Sequence, residues 1–207
     1  MNTVLKLSDN WLITEKPAGL LSVPGKGPDK ADCHYSRLLS EYPELLVVHR
    51  LDQATSGLMI WARNKESQRG LSRQFEERKI HKEYEALISA PPGKSPENVE
   101  GEIRLYQRLD IENRPMQIVD DERGKLSITR WKLLGREDSG FWRIRLYPET
   151  GRTHQLRLHM ASCGTAILGD RLYGGAAAER LALHACVLNF SDPVTGEVVC
   201  IKSAVPF

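Results

Sequence analysis

Between Ile80 and Ile88 the chain reads IHKEYEALI, a period-two run that sets Ile80, Lys82, Tyr84, Ala86 and Ile88 on one face of a strand. Further strand-like runs lie at 11–15, 20–23, 58–62, 102–107, 126–133, 141–147 and 198–202, joined largely by hairpin-length connections. Helical signals are few. One covers 34–41, and a second is capped by Asn64 and runs to about Arg78 with Leu71 and Phe75 at i, i+4. A third starts near Thr153, read as its N-cap, carries Leu156 and Met160 on one stripe, and ends at Gly164. Many short strands and few helices predict an α+β fold with a mainly antiparallel sheet. No Gly-rich phosphate loop follows a strand, which removes nucleotide-cofactor folds from contention.

A length of 207 residues with 41% hydrophobic content suits one domain, 1–207, with a sizeable core. The most linker-like piece, APPGKSPENVEG at 90–101, is too short to do more than connect two elements. No window approaches 18 uninterrupted apolar residues and the start MNTVLKLSDN lacks a signal-peptide core, so a cytoplasmic protein with no membrane partner is expected. Cys33, Cys163, Cys186 and Cys200 form no CxxC pair, which argues against structural zinc and a disulfide framework. The net charge of +2 is mild, but Arg63, Lys65, Arg69, Arg73, Arg78, Lys79 and Lys82 crowd one stretch and Arg143, Arg145, Arg152 and Arg157 another. Glutamates partly neutralise the first, and a solvated face explains it equally well.

Two stretches carry candidate chemistry. In VVHRLDQATSGLMIW, 47–61, an apolar run breaks for His49, Arg50 and Asp52 and then resumes; charges there are costly to bury without a purpose. Asp52 is the candidate catalytic carboxylate, although an aspartate at a strand edge is commonly a turn former, and Thr55, Ser56 and Gly57 suit turn chemistry. In PETGRTHQLRLHMASCG, 148–164, Arg152 and Arg157 fall near a helix N-terminus, where the dipole disfavours cations by about 0.3–1 kcal/mol. A carboxylate or an RNA phosphate should compensate them; for Arg157 alone, pairing with a nearby glutamate on the surface is the plainer account. His154 and His159 point ~140° apart on a helix, which argues against a shared metal. No Ser/His/Asp arrangement is evident.

HRLDQATSGLMIWA, IHKEYEALI, TGRTHQLRLH, AILGDRLYG and LALHA occur in an order that resembles the RluA-type pseudouridine synthases, and EKPAGLLSVPG resembles that family's Lys-Pro-x-Gly start. The likeness runs nearly end to end. It implies a pseudouridine synthase fold and a uridine-to-pseudouridine isomerase that needs no cofactor and no metal. Carried over by position, Asp52 matches the essential aspartate, Tyr84 the tyrosine that packs on the target base, Arg152 the arginine that pairs with the aspartate, and Arg50 the residue inserted near the flipped nucleotide. Arg157 falls in the same active-site motif as a substrate-binding candidate, and His184 in LHA is read as structural packing. The chain begins almost directly at the catalytic domain, without an S4-like N-terminal module, so that domain is expected to recognise RNA itself, as a monomer. VPGKG and ENRPMQIVDDERGK resemble the RluA branch, which implies a tRNA anticodon stem-loop uridine and a 23S rRNA uridine as targets. A non-catalytic RNA-binding or folding factor on the same scaffold is the alternative; a carboxylate glycosidase lacks a second carboxylate with a defensible role.

Overall fold

The computed structural model describes residues 3–92 and 99–207, so the middle of the expected 90–101 connector lies outside the described residues. In chain order the strands are β1 (Thr3–Leu7), β2 (Trp11–Lys16), β3 (Leu46–Val47), β4 (Ser56–Ala62), β5 (His81–Ile88) and β6 (Glu100–Leu109). They continue as β7 (Gln117–Val119), β8 (Lys125–Arg136), β9 (Trp142–Pro148), β10 (Leu183–Ser191) and β11 (Val198–Lys202). The helices are α1 (His34–Leu39), α2 (Lys65–Glu76) and α3 (Gln155–Ser162). The chain divides into two compact units, residues 1–82 with 184–206 and residues 83–183 with 207.

In the first unit β2 runs antiparallel to both β1 and β4, β3 is antiparallel to β4, and β11 is antiparallel to β10. β10 lies parallel to β4 through His184↔Ser56 and Ala185↔Gly57. Every residue of β4 is buried, as expected of a strand covered on both faces. Trp11, Ile13, Leu58, Ile60, Ala62, Leu71 of α2, Leu188 and Phe190 form one core cluster, with Trp11 and Phe190 edge to face at 5.2 Å. On the opposite face Trp61 stacks on Tyr35 of α1 and donates its indole N–H to Thr14 Oγ1 at 2.9 Å. Asn64 caps α2 as expected, accepting from Ser67 N, and Arg78 at φ 58 turns the chain out of the helix.

The second unit is an antiparallel meander in the order β5, β9, β8, β6, β7. Ala86↔Ile144 and Trp131↔Leu146 place buried apolar pairs opposite each other, and α3 contributes buried Leu156, Leu158 and Met160. The expected α+β class with mainly antiparallel pairing is therefore present. Two local expectations fail. Residues 20–23 are not a strand but bend over the loop before β4, and the N-cap of α3 is His154 at φ 54, not Thr153.

Candidate active site

Asp52 lies in the loop between β3 and β4, and the main chain on each side of it is pinned. Before it, Leu51 N donates to Ser22 Oγ at 3.0 Å while Ser22 Oγ donates to Leu51 O at 2.7 Å. After it, Gln53 O accepts from Gly19 N at 2.9 Å and from Lys16 Nζ at 3.1 Å. Lys16 is fully buried, and its ammonium also donates to Pro17 O and Leu20 O. The KPAG segment, read from sequence as a plain turn, is thus a cradle for the Asp52 loop. Thr55 N donates to Asp52 O and closes the turn. The Asp52 side chain is half-buried, and among the described residues of this unit no ion pair or hydrogen bond holds its carboxylate. Arg50, on the same loop, is exposed.

His49 opens the loop. Its Nε2 accepts from Ile60 N at 3.0 Å, taking over where β3 has left β4, and its ring stacks on Phe75 at 4.7 Å. Burial, and secondarily the Lys82 ammonium, lower its pKa to about 3, so it stays the neutral acceptor that this bond requires. Ser56 and Gly57 belong to β4 itself. Gly57 has φ 117, and a Cβ there would stand 2.3 Å from Ala185 O, so only glycine admits the β10 backbone this close. His184, fully buried, bridges Ser56 Oγ at 2.8 Å and Ser203 Oγ at 2.9 Å, a structural role as expected.

The remaining candidates belong to the second unit. Tyr84 sits on β5 opposite Leu146 and is half-buried. Its neighbour Glu85 is buried between Arg143 and Arg145, so two arginines of the second basic cluster serve internal carboxylates. Arg152 is exposed on the loop between β9 and α3, with Nε donating to Leu126 O at 3.3 Å. That loop is shaped by Gln155, whose Oε1 accepts from Arg152 N and Thr150 Oγ1 and whose Nε2 donates to Ile128 O and Thr129 Oγ1. Gln155, Ser22 and Lys16 escaped sequence reasoning because each joins its own segment to a main-chain atom distant in sequence, Ile128 O, Leu51 O and Gln53 O respectively.

Arg157 is placed differently from the substrate contact expected of it. It is 4% exposed, donates Nε and Nη2 to Asp170 at 2.8 and 2.7 Å, and lies over the Tyr173 ring at 5.2 Å. Asp170 also accepts from Leu172 N and Tyr173 N, so the arginine fastens α3 to the segment after it. The partner is a buried aspartate, not a surface glutamate. His154 Nδ1 lies 3.1 Å from the Tyr173 hydroxyl, and His159 Nε2 lies 2.8 Å from Ser127 Oγ.

The RNA pseudouridylate synthase family model matches residues 10–162. The chain is 41% identical over 204 residues to the dual-specificity RNA pseudouridine synthase RluA of Haemophilus influenzae, covering 96% of this chain and 91% of the relative. It is 40% identical over 208 residues to the enzyme of that name from Escherichia coli strain K12, covering 99% and 93%. Among solved structures it is similar to human RNA pseudouridylate synthase domain containing 1, with TM-score 0.81 at 27% identity over 100% of this chain and 84% of the other. The pinned aspartate loop and these matches agree: the chain belongs to the RNA pseudouridylate synthase family, as a member of its RluA type.

Proposed function

We propose that this RNA pseudouridine synthase uses Asp52 as its catalytic carboxylate and acts in the cytoplasm, as a monomer, on a tRNA anticodon stem-loop uridine and a 23S rRNA uridine. The observation that carries the assignment is the asymmetry at Asp52. Its two flanking peptides are held by Ser22, Gly19 and a buried lysine, while its carboxylate is left without a partner among the described residues of its own unit. A fold that fixes a carboxylate's position yet leaves its oxygens unengaged has prepared it for something other than turn formation.

The reaction breaks the N1–C1′ bond of uridine, turns the uracil, and forms a C5–C1′ bond; the C5 proton leaves and N1 gains one. Asp52 works at the ribose, as nucleophile at C1′ or as base at the 2′ position. Tyr84 supplies a flat ring for the uracil, a contact worth about 1–3 kcal/mol, and a hydroxyl near the C5 proton. The target must leave its stack, at a cost of a few kcal/mol, and exposed Arg50 fills the space it vacates. Arg152 is the cation of the site, and Arg157 acts indirectly by fixing α3, the helix that follows the Arg152 loop.

Asp52→Asn tests this. The variant is expected to bind RNA within severalfold of the parent and to form no pseudouridine, scored by carbodiimide-dependent reverse-transcription stops on tRNA and rRNA. Modification persisting in the variant removes Asp52 from the mechanism.

A further inference from the structure

The second unit contains a cavity of about 360 Å³ that includes Arg152 but extends well beyond it. Gln107 and Arg108 on β6, Arg123 and Lys125 at the start of β8, and Thr153 line it alongside Arg152. Ligand pockets fall in the range of about 300–1,000 Å³, so this one accepts a group of nucleotide size. Its charge is one-sided. Arg108 and, at 3.7 Å, Arg123 share a single carboxylate, Asp120, whose pKa is held down chiefly by the Arg108 hydrogen bond. Among the described residues of this unit neither Lys125 nor Arg152 has a carboxylate partner, and the Arg123 side chain is 75% exposed.

The wall is built, not incidental. Asp120 accepts from Glu122 N and Arg123 N, which fixes the turn carrying Arg123 towards β8. Gly124 packs so tightly there that a Cβ would stand 2.4 Å from Asp120 O. Gln107 is 3% exposed and donates Nε2 to Thr153 O at 2.9 Å, tying β6 to the Arg152 loop, while its buried Oε1 has no partner among the described residues. Three surplus guanidinium and ammonium groups on rigid supports match a phosphate of a sugar-phosphate backbone.

We propose that this cavity is a second RNA subsite, which takes a phosphoribose unit of the substrate backbone through Arg123, Lys125 and Arg152. It rests on the isomerase reading above, since Arg152 is what joins the subsite to the chemistry. Arg123 and Lys125 then contribute affinity and placement of the RNA but touch no reacting atom.

The test compares the full chain with Arg123→Ala/Lys125→Ala, and with Arg123→Lys/Lys125→Arg as a charge-preserving control, on an unmodified anticodon stem-loop transcript. Filter binding across a salt series reads the subsite whether or not turnover occurs. For the alanine pair the slope of log affinity against log salt should shrink by about 0.7–0.9, one phosphate's worth, and KM should rise roughly tenfold while kcat stays within about twofold. The charge-preserving pair should keep the parental slope. An unchanged slope and KM in the alanine pair, or a lost slope in the control, overturns the subsite. Absence of pseudouridine from the parent chain overturns the isomerase reading instead, so the two failures are distinguishable.

Discussion

Lys16 shows how much a single side chain can carry. A lysine with no exposed surface needs acceptors for its ammonium, and three main-chain carbonyls, of Pro17, Leu20 and Gln53, accept from it. Lys16→Met leaves those acceptors without their donor and is expected to cost about 3 kcal/mol or more, read as a lower urea midpoint. Activity should fall further than stability explains, because Gln53 adjoins Asp52. HRLD singles out Asp52 as a candidate, since charges between two apolar runs call for a reason. The job of Lys16 is not legible in this way: EKPAG reads locally as a turn, and the partner that ties it to the Asp52 loop, Gln53 O, lies more than thirty residues away. Arg157 marks the same limit, for nothing in GRTHQLR points to Asp170 as the group that neutralises it.

At the level of elements, period-two runs and caps were the reliable signals. β5 begins within one residue of its expected start, and Asn64 caps α2. β10, Leu183–Ser191, escaped because LHACVLNFS is apolar nearly throughout, the pattern of a strand buried on both sides and not of an alternating one. β1, β3 and β7 are too short or too polar to stand out. The α3 cap was misplaced because His154 adopts a left-handed conformation that the sequence gives no cause to expect. The pairing of β4 with β10 hinges on Gly57. Gly57→Ala places a methyl group against the Ala185 backbone at a positive φ, and the expected loss exceeds 3 kcal/mol in thermal or urea denaturation. A variant of parental stability would show that β10 does not approach so closely.

For the whole molecule, three histidines set an acid limit. His34, His49 and His159 have pKa values lowered from 6.5 to about 4, 3 and 4, each chiefly by burial. The unfolded chain takes up protons near pH 6.5 that the native chain refuses, so their contribution is complete above that pH and drains away as the pH falls towards 3–4. The slope is up to about 1.4 kcal/mol per pH unit for each histidine. Melting temperature should therefore decline from pH 7 to pH 5, and His159→Gln should flatten that decline; an equally steep profile in the variant would exclude His159 as a contributor. The first unit is also assembled from two separate stretches of sequence, residues 1–82 and 184–206, with residues 83–183 of the second unit intervening in the chain. During vectorial synthesis on a ribosome, β4 emerges more than a hundred residues before the β10 strand it lies beside. β4 and the loop before it consequently lack one edge partner until residues 183–191 have been made, so protection of the first unit during synthesis should arrive in one late step.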